Sequence, residues 1–84
     1  LGSNIIGDEG AQAIARALPS LMQLTELDLS KCSIGAEGAE AIAQALPSLT
    51  QLIKLDLERN RIGIEGYRVL NAVQKKYSQI EIEF

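Results

Sequence analysis

The chain has 84 residues, 46% of them hydrophobic and 23% charged, which suits one small globular unit. Its formal net charge of -3 argues against nucleic-acid binding, which needs a basic patch or stripe to neutralise phosphates; Lys75-Lys76 is the only adjacent cationic pair and reads as a solvated helix end. Histidine is absent and cysteine occurs once, so no Ser-His-Asp relay, zinc site or intramolecular disulfide can be assembled, and no cofactor is expected. No apolar run approaches the roughly 20 residues that cross a bilayer, and no membrane partner is expected. The opening LGSNIIGDEG lacks the basic-then-apolar profile of a signal peptide. A lone cysteine fits a reducing compartment, which makes a cytoplasmic location the expectation, with a secreted effector acting inside a host cell as the alternative.

Residues 1–23 predict a helix through GDEGAQAIARAL, stopped by Pro19, after a stub that carries Leu1, Asn4 and Ile6. In residues 24–51, Leu27 and Leu29 alternate with Glu26, Asp28 and Ser30, the period of a strand with one buried face. A helix follows, with Gly38, Ile42, Ala45, Leu46 and Leu49 on one face and Pro47 as its stop. Residues 52–79 repeat the strand and helix, then depart from the pattern: QKKY replaces LPSL at Gln74 to Tyr77, and Tyr67, Val69 and Val73 stand where Ala39, Ala41 and Ala45 stood. The segment from about Gly66 reads as a C-terminal cap, and in residues 80–84 Ile80, Ile82 and Phe84 turn inward and Glu81 and Glu83 outward, as in a closing strand.

These segments are copies of one unit. IGDEGAQAIARALPSLMQLTELDL aligns with IGAEGAEAIAQALPSLTQLIKLDL at an offset of 28 residues, with about three quarters of the positions identical. A strand that recurs after each helix lies parallel to its predecessor, so the copies stack into one sheet with all helices on one side. The small residues Gly10, Ala11, Ala13, Ala15 and Ala17, and Gly38, Ala39, Ala41, Ala43 and Ala45, let those helices approach closely.

The stretch LTELDLSKCSIGAEGAEAIAQALPSL resembles a leucine-rich repeat, LxxLxLxx(N/C)xL followed by a helix, and the 28-residue length with IGxEG and ALxxL resembles the ribonuclease-inhibitor-like subclass. Leu24, Leu27, Leu29, Cys32 and Ile34 fill one motif, and Leu52, Leu55, Leu57, Asn60 and Ile62 fill the next. The resemblance implies an α/β solenoid, a right-handed β-α superhelix with a parallel sheet on the concave face and helices on the convex face. It also implies that Asn4, Cys32 and Asn60 form an inward ladder bonded to loop backbone, so Cys32 is a buried structural residue.

With no reaction centre, function falls to the concave face. Its expected partner-binding residues are Glu26, Asp28, Lys31, Lys54, Asp56, Glu58, Arg59, Glu81 and Glu83, six acids against three bases, which suits a protein partner with a basic surface. Asp28 and Asp56 read as a surface column on neighbouring strands rather than an acid/base pair. The expected function is a protein-protein interaction scaffold without catalysis. The alternatives are part of a GTPase-activating leucine-rich repeat protein, or a consensus-like module without a natural ligand. Because Leu1 enters the motif at its final leucine, the chain is expected to be the C-terminal piece of a longer solenoid. The open side would expose parts of Ile5, Ile6, Ile14 and Leu18 and the strand edge from Leu24 to Leu29, inviting end-to-end self-association.

Overall fold

A computed structural model of the chain describes residues 6–84. The alternation around Leu27 forms a strand, β1 (Glu26–Asp28), whose central residue is buried while its neighbours face solvent. Leu55 and Ile82 play the same part in β2 (Lys54–Asp56) and β3 (Glu81–Glu83). The three strands lie parallel in the order β1-β2-β3. Leu27 pairs with Leu55, a step of 28 positions, and Leu55 with Ile82, a step of 27. The shorter step has a local cause. Ile80 N–H donates to the Tyr77 carbonyl at 3.1 Å just as Leu52 N–H donates to Leu49 at 3.1 Å, so the turns are equivalent, and one residue is missing between turn and strand.

Three helices, α1 (Gly7–Ala17), α2 (Ala36–Ala45) and α3 (Gly63–Lys76), pack in sequence with α2 in the middle. Gly38, Ile42, Ala45, Leu46 and Leu49 are all buried, as their spacing predicts. The prolines do more than stop the helices. The chain tightens into 3-10 turns at Leu18–Ser20 and Leu46–Ser48, each with proline in its first positions, where a missing N–H is harmless. That turn directs Leu18 into the core, where it has no exposed surface, so the expectation that Leu18 lies on an open side is corrected. Leu21 and Met22 are the apolar residues left about half exposed in this region, while Ile6 and Ile14 are partly buried; Ile5 lies outside the described residues.

Ala13 and Ala17 are exposed on α1, whereas their counterparts Ala41 and Ala45 on α2 are half-buried and buried. Among the described residues α2 is flanked by a helix on each side and α1 by one, which accounts for the difference. Lacking proline, α3 runs on through Gln74 and Lys75 to Lys76. The Tyr67 ring on α3 meets Phe84, just after β3, edge-on, with centroids 4.7 Å apart.

Candidate functional site

The face that could bind a partner stands on the turns that follow β1 and β2, and Asn60 organises them. Its Oδ1 accepts from the backbone N–H of Cys32 and of Ile34, each at 2.9 Å, reaching across into the preceding repeat. Its Nδ2 donates to the carbonyls of Leu29 at 2.8 Å, Leu57 at 2.9 Å and Glu58 at 3.3 Å. One amide therefore satisfies backbone groups of two successive turns, which is why an asparagine is useful at this ladder position. Cys32, the equivalent residue one repeat earlier, has no exposed surface, and its Sγ donates to the Ser30 carbonyl at 3.3 Å. Asn4 lies outside the described residues. Burial makes the thiol chemically quiet: a thiol reagent is expected to label native Cys32 at least ~10³-fold more slowly than the denatured chain, since reaction needs an opened state. Equal labelling rates would contradict this, as would failure of Cys32→Asn to fold.

The same turns hold non-glycine residues in the left-handed region, at Lys31 (φ 55°), Ser33 (φ 58°) and Arg59 (φ 61°). Lys31 and Arg59 are repeat equivalents, and the conformation persists because the flanking backbone is anchored: Lys31 N–H donates to Glu58 at 3.0 Å and Cys32 N–H to Asn60. Aspartates just before the turns add to this. Asp28 Oδ1 accepts from Ser30 N–H at 3.0 Å and Ser30 Oγ–H at 2.7 Å, and Asp56 Oδ1 accepts from Glu58 N–H at 2.9 Å. The backbone N–H of Ser30, helped by its hydroxyl, holds the Asp28 carboxyl below its usual value. For a lowered carboxylate the contribution is present above the unfolded pKa and is lost as pH falls through the folded one, so this turn loosens only in acid.

A third carboxylate links repeats from the helix side and was not apparent from the sequence. Asp8 Oδ1, near the start of α1, accepts from Gly35 N–H at 2.6 Å and Gly38 N–H at 3.0 Å, both at the N-terminus of α2. Gly35 has no side chain to cap its own helix, so the preceding repeat supplies the acceptor at the positive end of the α2 dipole. Asp8→Ala is expected to cost about 1–2 kcal/mol in a urea titration. A change within experimental error would show the cap to be idle.

On the sheet face the strand register sets out the charges. Glu26, Lys54 and Glu81 form one row across the three strands, and Asp28, Asp56 and Glu83 form the next. Lys54 Nζ reaches Glu83 Oε1 at 3.2 Å, and that hydrogen bond and the charge behind it raise the lysine's pKa. Asp56, Glu58 and Glu83 bring one carboxylate oxygen each within 4.8 Å of one another. A shallow depression of 220 Å³ is lined by Glu26, Leu27, Asp28, Lys54 and Asp56. All nine residues expected on this face have solvent access, although Asp56 and Glu83 are half-buried and Lys31, Glu58 and Arg59 lie in turns beyond the strands. Ser30, expected to point outward, is half-buried against Asp28.

The leucine rich repeat family model matches residues 1–15 and 21–43. No curated protein matches the chain.

Proposed function

We propose that this leucine-rich repeat chain is a non-catalytic scaffold whose sheet face engages a protein partner through lysine or arginine side chains. Leucine-rich repeat domains generally mediate protein-protein interaction, and the family is typically non-catalytic. The observation that carries the finer reading is the row Asp28, Asp56 and Glu83, three acids placed directly opposite one another on adjacent strands. Like charges so paired repel, and of the two rows only Lys54 offers a cation against them. A partner's guanidinium or ammonium groups would relieve that repulsion, and opposite charge would also steer the encounter.

Testing this requires sparing the carboxylates that hold turns. Asp28 and Asp56 are bonded to backbone, whereas Glu26, Glu58 and Glu81 are exposed. The triple variant Glu26→Lys, Glu58→Lys, Glu81→Lys is expected to weaken binding of an arginine-rich peptide on the order of tenfold or more, with an unchanged circular dichroism spectrum. Raising the salt should weaken the parent's binding in the same direction. Equal loss on reversing the helix-side charges Arg16 and Glu40 would refute the assignment to the sheet face.

A further inference from the structure

The helix side carries two grooves, one along each helix–helix seam, which share only the repeat-equivalent pairs Ala41/Val69 and Gln44/Ala72 and differ in charge. Between α1 and α2 the lining is Gln12, Glu37, Glu40, Ala41 and Gln44. Between α2 and α3 lies a groove of 290 Å³ whose floor and walls are Ala43, Pro47, Val69, Ala72, Val73 and Tyr77, with the exposed ends of Gln44 and Lys76 beside them. Among the described residues no acidic one lines it.

The altered third repeat builds this groove. Val69 stands where the preceding repeat has Ala41, Ala72 where it has Gln44, and Lys76 where it has Ser48. The helices also end differently: α2 gives way to a 3-10 turn over Leu46–Ser48, while α3 continues as α-helix to Lys76, the equivalent of Ser48. Core packing explains the valines only in part. Val69 and Val73 keep some exposure, and Pro47 and Ala72 are exposed outright.

Charge identifies the occupant. The Lys76 ammonium lies 5.7 Å from the centroid of the Tyr77 ring, which holds it beside the groove. The last turn of α3 also carries Lys75, and among the described residues neither lysine is ion-paired to a carboxylate. The two lysines complement the negative end of the α3 dipole, and their charge remains open to a partner.

We infer that the α2–α3 groove docks an amphipathic acidic segment of a partner protein, its apolar side chains against Val69, Val73 and Pro47 and its carboxylates at Lys76, with Lys75 adding positive charge from the same helical turn. This site lies on the opposite side of the sheet from the proposed binding face and selects the opposite charge, so each can fail without the other.

The probe is a synthetic helical peptide of ~12 residues with leucines at i, i+3, i+4 and i+7 and glutamates on the flanks, titrated into the isotope-labelled chain. Saturable chemical-shift changes are expected at residues 43–47 and 69–77, with weaker or no changes for the same peptide carrying lysine in place of glutamate. Lys76→Glu is expected to weaken binding about fivefold, and Ala72→Glu, at an exposed helical position, should do likewise. Both variants keep the parent's circular dichroism spectrum. Absence of shift changes, equal response to the lysine peptide, or indifference to Lys76→Glu would overturn the inference. Shifts at these residues that grow with the chain's own concentration before any peptide is added would assign the groove to a second copy and overturn it equally.

Discussion

Replacing Asn60 with alanine is expected to remove a large part of the chain's stability. The amide bonds to backbone groups of Leu29, Cys32 and Ile34 in one repeat and of Leu57 and Glu58 in its own. Alanine leaves those groups without their partner, and because the site is only partly buried, water recovers some of the loss. At about 1 kcal/mol for each of the four shorter bonds, the cost is about 4 kcal/mol. A domain of this size has a total stability of about 4–13 kcal/mol, so the midpoint of a urea titration should fall sharply. Asn60→Cys should cost less than alanine, since a thiol can donate to a turn carbonyl as Cys32 does, but it is a poor acceptor for Cys32 N–H and Ile34 N–H. A loss below about 1 kcal/mol for Asn60→Ala would mean that these bonds are replaced by water at little cost.

That ladder residue was legible in the sequence because it recurs in register with Cys32. Periodicity exposed the other repeating features in the same way: leucines at period two became strands, and small residues at helical spacing became the faces where helices touch. Departures from the repeat were harder to read. Asp8 stands where later copies have Ala36 and Ile64, and an acid in a first helical turn reads as an ordinary dipole partner. Its true acceptor role is to Gly35 and Gly38, residues distant in sequence. The available signal was an acid at the variable position of IGxEG, where the other two copies carry apolar residues.

Asp28 and Asp56 show a second reason for incomplete reading. Their recurrence suggested a column of surface charge, and both do lie on the sheet face. Each also ties a turn two residues on, an interaction typical of aspartate before a tight turn. A residue can thus contribute to a binding face and to the loop beneath it, and substitution at either position mixes the two effects. Proline was read correctly as the end of an α-helix, but the 3-10 geometry that buries Leu18 and Leu46 depends on where the following strand must start. The step of 27 before β3 follows from IEI replacing LIKL, a contraction that was visible as a broken LxxL spacing without its structural consequence.

Gly38→Ala is expected to destabilise the chain by about 2–3 kcal/mol, against the gain of about 1 kcal/mol that alanine normally brings to a helix interior. A Cβ at this position would lie 2.7 Å from Asp8 Oδ1, 2.8 Å from Ile34 Cγ2 and 2.9 Å from Ala11 Cβ. Ala11 cannot retreat without moving the α1 backbone. Asp8 cannot retreat without releasing the N–H groups of Gly35 and Gly38. The methyl therefore separates α1 from α2 and weakens the cap in one step. Gly66, the equivalent residue in α3, is a measured contrast: its nearest neighbours would be Ile62 Cβ at 3.0 Å and Ala39 Cβ at 3.2 Å, with no capping carboxylate in the way. Gly66→Ala should accordingly cost less than Gly38→Ala by at least about 1 kcal/mol. Because the cap is already strained in Gly38→Ala, adding Asp8→Ala should cost less there than in the parent chain, a coupling that a double-mutant cycle of urea titrations would measure. Additive losses, or a neutral Gly38→Ala, would show that α1 and α2 have room to spare and that the Asp8 cap does not set their separation.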